Sequence, residues 1–129
     1  MPIVRITLAE GRAAVERRAI AEGVHQALVE AANVPADDRF QVVQQVPATD
    51  FVFDPDYLGI ARTKDVVFIQ IFLNAGRTVE VKKALYAAIA RRLAERPGIR
   101  KEDVLVNLVE VARENWSFGA GLMSYPPTP

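Results

Sequence analysis

Along this chain, runs of crowded apolar residues give way to stretches in which apolar positions recur every three or four residues. Pro2 to Leu8 and Asp65 to Leu73 are rich in Val, Ile and Phe, the composition of β-strands. Each is followed by a Gly-Arg turn and then by a helical pattern. In the first case the apolar positions are Val15, Ile20, Val24, Ala27, Leu28 and Ala31; in the second they are Val81, Leu85, Ile89 and Leu93. Thr78 suits the N-cap of the second helix, and Pro97-Gly98 stops it. Arg39 to Val46 and Val104 to Val111 are the remaining strand candidates.

The two halves match each other. At a shift of 65 residues, Leu8, Gly11, Arg12, Ala19, Leu28, Glu30 and Asp38 fall on Leu73, Gly76, Arg77, Ala84, Leu93, Glu95 and Asp103. Conservative pairs such as Val24 with Ile89 and Val34 with Ile99 fill the gaps. This self-similarity, with the same order of elements in each half, marks a duplicated supersecondary unit. A strand, helix and second strand joined in this way form a right-handed parallel unit. The expected architecture is α+β: one domain over residues 1–129, with β-α-β units at 1–46 and 65–111 and a tail at 112–129. Its four-stranded mixed sheet carries both helices on one face. Val66-Val67-Phe68-Ile69 and Val104-Leu105-Val106 are apolar at successive positions, the pattern of strands buried on both faces. Two helices cover only one face, and apolar area costs about 25 cal/mol per Å² to leave in water. A closed symmetric oligomer is therefore expected.

Composition narrows the functional classes. Sixteen Lys and Arg balance sixteen Asp and Glu, so the chain has no bulk field to attract nucleic acid or an anionic membrane. With no cysteine and one histidine, it has neither a thiolate nucleophile nor a multi-histidine metal centre, and no metal or organic cofactor is implied. No apolar run approaches the roughly 18 residues of a transmembrane helix, and the start lacks the pattern of a signal peptide, so a cytoplasmic protein is expected. His25 lies within the first helical pattern and is read as structural.

Pro2 is the most informative residue. Removal of the initiator methionine would expose a prolyl secondary amine at the head of an apolar strand. Ordinary α-amino groups titrate at about 7.7 to 8.0. Burial would make such an amine a base, whereas nearby carboxylates would keep it a cationic acid.

The duplicated unit beginning Met-Pro, with Gly76-Arg77-Thr78 at its second turn, resembles the tautomerase superfamily almost end to end. Within it, Glu10-Gly11-Arg12, Val34-Pro35-Ala36-Asp37-Asp38-Arg39-Phe40-Gln41 and Asn115-Trp116-Ser117-Phe118-Gly119-Ala120-Gly121 look like the malonate semialdehyde decarboxylase group. The resemblance implies a homotrimer with Pro2 as the central catalytic residue. It further implies that Asp38 positions or activates water and that Arg77 holds the substrate carboxylate. Trp116 and Phe118, with Tyr125, would wall the pocket. The decarboxylase pattern has a second arginine two residues before Arg77, where this chain has Ala75. Arg39, Arg62 and Arg12 are candidates for the missing charge, and Arg39 is taken as a substrate-binding residue.

The expected activity is decarboxylation or hydration of a small oxo acid or unsaturated carboxylic acid, with Pro2 as acid or base. A cationic Pro2 would polarise a substrate carbonyl while Arg77 fixes a carboxylate; Pro2 could instead form an iminium. A neutral Pro2 would shuttle a proton, giving keto-enol tautomerisation of a phenylpyruvate-like substrate. The non-catalytic alternative is a trimeric binding module.

Overall fold

The structure, a computed structural model, describes residues 2–127. Removal of Met1 and the last two positions of the tail therefore lie outside the described residues. The strands are β1 (Ile3–Ala9), β2 (Gln41–Val46), β3 (Val67–Asn74) and β4 (Val104–Val111), and the helices are α1 (Ala14–Ala32) and α2 (Val79–Glu95). They form one sheet in the order β2-β1-β3-β4. The β1 and β2 strands are parallel, as are β3 and β4, while the central β1–β3 pair is antiparallel.

The duplication holds to single-residue register. Val4 pairs with Gln41 in the first unit, and their counterparts Ile69 and Val106 pair in the second. Arg5 and Gln70, counterparts of one another, sit opposite each other across the antiparallel pair, so the pseudo-two-fold axis passes between them. The turns repeat as well. Glu10 N–H donates to Val46 O, and Ala75 N–H donates to Val111 O, both at 2.9 Å. Gly11 and Gly76 then take φ of +127° and +123°, a backbone that favours glycine.

One face of the sheet supplies the core. Val4, Ile6 and Leu8 of β1 and Val67, Ile69, Ile71 and Leu73 of β3 are buried with Ile20, Val24 and Leu28 of α1 and Leu85, Ile89 and Leu93 of α2. The helices approach closely at Gly23, where an added Cβ would lie 2.9 Å from Leu93 Cδ2. Leu93 has no exposed surface into which to retreat. Gly23→Ala gains roughly 1 kcal/mol of helix propensity but overpacks this crossing by about 2 kcal/mol. We expect a net loss of about 1 kcal/mol, measured as a lower urea midpoint at unchanged slope.

The other face mixes polar and apolar positions. Its alternate positions are not apolar throughout: Gln70 donates to Asn107 at 3.1 Å, and Arg5, Thr7 and Gln44 lie beside them. Part of the apolar remainder is covered within the chain. The connection from β2 to β3 lays Phe51 against Phe68 at 4.6 Å between ring centroids. Ile3, Val42 and Leu105 stay exposed. The strands also begin one or two residues later than the sequence suggested for β1, β2 and β3, because the pairing starts only after Pro2, Phe40 and Val66.

Candidate active site

The antiparallel β1–β3 pair brings the head of β1 to the tail of β3. Ile3 pairs with Phe72, and the same register carries Pro2 to Leu73. Pro2 is buried there. The parallel neighbour β2 completes the setting, since Val4 N–H donates to Phe40 O at 2.9 Å.

Beyond Leu73 the chain turns through Asn74-Ala75-Gly76 and delivers Arg77. Gly76 N–H donates to Glu110 Oε2 at 3.4 Å, and Glu110 is held in turn by Lys82 at 2.7 Å. Lys82 is also the principal reason that the Glu110 carboxyl lies below its usual range. The Arg77 guanidinium folds back over the end of α1. Nε and Nη2 donate to Ala32 O at 3.2 and 3.0 Å, and Nη1 donates to Asn74 O at 3.3 Å. A guanidinium carries five N–H donors, one on Nε and two on each Nη. The three bonds to carbonyls thus leave one donor on each Nη. Helix α2 starts at once, its N-cap Thr78 accepting from Val81 N–H at 3.2 Å. Between its first turn and the end of α1, Arg77 borders a cavity of about 280 Å³ with Ala31, Ala32, Asn33 and Val81.

The tail supplies an aromatic wall. Trp116 is buried, and its indole N–H donates to Asn74 Oδ1 at 2.6 Å. Phe118 stacks on Trp116 at 5.0 Å and 15°. Phe40 lies 5.5 Å from the Phe118 ring, and Tyr125 meets it edge-on at 6.0 Å. Tyr125 is itself covered by the Arg113 guanidinium, 4.6 Å from its centroid. Asp38, buried at the end of a tight turn, donates its N–H to Pro35 O at 3.0 Å. The Tyr125 phenol is pushed above its ordinary range, chiefly by burial and then by the Asp38 charge; Arg113 partly offsets this. His25 braces the segment leading to Asp38, its Nε2 lying 2.8 Å from Ala36 O. A carbonyl can only accept, so that ring nitrogen carries the proton.

Of the residues singled out in the sequence, Pro2, Arg77 and Trp116 thus gather at one end of the sheet through Leu73 and Asn74. Phe118, Tyr125 and Asp38 continue the cluster. Arg39 does not join the wall through its polar contacts: its guanidinium binds Glu22 of α1 and Gln41. The other candidates for the missing charge are also occupied. Arg12 pairs with Glu16, and Arg62 donates to the carbonyls of Asp54, Tyr57 and Ile60. Sequence reasoning missed Asn74 and Arg113. Asn74 ends a strand, where asparagine reads as a turn former, and the Arg113 contact is tertiary. A larger cavity of about 590 Å³ lies at the opposite end of the sheet, around Gly11, Asp65 and Gly98. It is the pseudo-symmetric counterpart of this site. Val67 stands there in the place of Pro2, so it has no terminal amine.

Comparison with known proteins identifies the family of this fold. Residues 38–119 match one family model described as tautomerase enzyme, and residues 2–61 match a second with the same description. The probable tautomerase YusQ of Bacillus subtilis (strain 168) is 44% identical over 121 residues, covering 94% of this chain and 95% of that protein. Probable tautomerase YrdN of the same strain is 35% identical over a similar span. Among solved structures, FG41 malonate semialdehyde decarboxylase inhibited by 3-bromopropiolate superposes with a TM-score of 0.90 at 41% identity, covering 95% of this chain and 93% of that one. A second malonate semialdehyde decarboxylase, described with decarboxylase and hydratase activities, gives 0.88 at 32% identity, covering 94% and 93%. With its β-α-β unit used twice around one mixed sheet, the chain belongs to the tautomerase superfamily of enzymes, in the group that resembles malonate semialdehyde decarboxylase.

Proposed function

We propose that this chain is an amino-terminal-proline enzyme that decarboxylates or hydrates a small oxo acid or unsaturated carboxylic acid. The observation that carries this reading is Arg77. Its guanidinium is clamped by Ala32 and Asn74 carbonyls, keeps one donor on each Nη, and stands beside the strand end that holds Pro2. Paired donors on a planar cation suit a carboxylate, which accepts two parallel hydrogen bonds.

In the decarboxylation reading, Arg77 anchors the carboxylate and a cationic Pro2 polarises the carbonyl two carbons away. The carbon–carbon bond to the carboxylate breaks, carbon dioxide leaves, and the bonding pair moves through the enol towards the carbonyl oxygen that Pro2 stabilises. Proton return to carbon completes the reaction. In hydration, Asp38 orients or deprotonates the attacking water. Trp116, Phe118 and Tyr125 exclude bulk solvent, which strengthens these charge interactions.

The names of the Bacillus subtilis relatives favour a second reading, keto-enol tautomerisation with Pro2 as a neutral proton shuttle. Purified protein incubated separately with malonate semialdehyde and with phenylenolpyruvate separates the two. We expect carbon dioxide release from the first to exceed ketonisation of the second in kcat/KM. The reverse order would assign the chain to the tautomerases, and neither activity would reject decarboxylation of malonate semialdehyde and ketonisation of phenylenolpyruvate alike.

A homotrimer belongs to this proposal. Its support is the exposed Ile3, Val42 and Leu105 on the face away from the helices, together with the fold shared with a fused 4-OT symmetric trimer at a TM-score of 0.78 and 21% identity.

A further inference from the structure

The tail that carries the aromatic wall closes on itself. Ser124 N–H donates to Trp116 O at 3.0 Å, and Ser124 Oγ accepts from Phe118 N–H at 2.8 Å. Leu122 N–H reaches back to Gly119 O at 3.3 Å. These bonds make a loop whose tip, Leu122 and Met123, is exposed, and whose return leg brings Tyr125 into a T-shaped contact with Phe118. The Tyr125 ring also meets the guanidinium of Arg113, which lies in the 3₁₀ turn Arg113–Asn115 leading directly to Trp116. Trp116 N–H donates to Arg113 O at 3.4 Å, so the backbones of the two residues are joined in one turn. Tyr125 thus touches both Phe118, stacked on the Trp116 indole, and Arg113.

We propose that Arg113 is a positioning residue of the site: it clasps the Tyr125 ring and so locks the returning tail against the Trp116–Phe118 wall. The functional part of this inference rests on the reading of the wall as the substrate pocket; the clasp itself does not. Arg113 acts through Tyr125 rather than on the substrate. The attraction of a cation for an aromatic face stands beside an edge-on ring contact, and together they hold the Tyr125 ring.

The single tryptophan makes the clasp observable without any substrate. Trp116 fluorescence in the intact protein is expected to become about twofold more accessible to acrylamide in Arg113→Ala, while Arg113→Lys, which keeps the cation, stays near the parent. With malonate semialdehyde as probe, Arg113→Ala should raise KM about two- to fivefold with little change in kcat. In a Tyr125→Leu background the same substitution should add nothing to either measurement. Unchanged quenching in Arg113→Ala would overturn the clasp. A KM effect that persists undiminished in Tyr125→Leu would show Arg113 acting on the substrate directly and overturn the positioning role. Absence of turnover in every form, with the quenching pattern intact, would count against the proposed function and leave the clasp standing.

Discussion

Joining any residue ahead of Pro2 is expected to reduce turnover by about three orders of magnitude or more, because acylation converts the amine into an amide that neither holds nor accepts a proton. The fold should survive. Pro2 precedes the first paired residue of β1, and the core begins at Val4. Pro2→Ala tests a narrower point, since a processed chain would still begin with an amine. A primary amine titrates at about 7.7 to 8.0 and can still be cationic, so the expected loss is smaller, about 10- to 100-fold. It arises from the lost ring, which fixes the direction of the ammonium N–H bonds. The pH dependence gives the protonation state. If the cation is the working form, activity holds below the amine pKa and falls as pH rises through it. A neutral base gives the opposite limb. We expect the falling limb, with intact mass showing Met1 removed. Full activity in a protein whose mass retains Met1 would reject the mechanism.

How much of this was written in the sequence depends on the range of each interaction. Strand β4 lies over Val104 to Val111 because its β-branched run is bounded by a turn and by Ala112. The end of α2 follows from Pro97-Gly98, and its start from the Thr78 cap, both local effects. The duplication was legible because each copy must satisfy the same local geometry, down to the positive φ of Gly11 and Gly76. Contacts made across the fold were not. Phe51 sits in a connection without periodicity, and only the position of Phe68 makes it a cover for the sheet. Arg39 stands next to Asp38 in sequence, yet the bend into β2 turns its guanidinium to Glu22 on α1. Asn74 needed the indole of Trp116, a residue 42 positions away, before its side chain had an evident use.

Arg77 carries the second large effect, and here structure and chemistry are tied to one side chain. Its counterpart at the pseudo-symmetric turn, Arg12, pairs with Glu16 on the first turn of α1. In the second copy Val81 occupies the equivalent place, so Arg77 has no such carboxylate and turns to Ala32 O instead. A cation over the last carbonyls of α1 complements the helix dipole, and hydrogen bonds from a charged group contribute about 1.5 to 3 kcal/mol. Arg77 is only partly buried, and water can replace part of what is lost, so Arg77→Ala is expected to destabilise by about 1 to 2 kcal/mol. That loss still leaves a folded population. Turnover should fall much further, by about 10²- to 10³-fold in kcat/KM, because the donors that orient the carboxylate disappear. Arg77→Lys separates the two roles. One ammonium can satisfy Ala32 O or the substrate carboxylate, but it lacks a rigid fork to serve both. Stability in Arg77→Lys should therefore recover towards the parent in urea unfolding, while kcat/KM stays depressed by at least about tenfold. Full recovery of both would mean that charge alone suffices, and the assignment of the two remaining guanidinium donors to the substrate would fall.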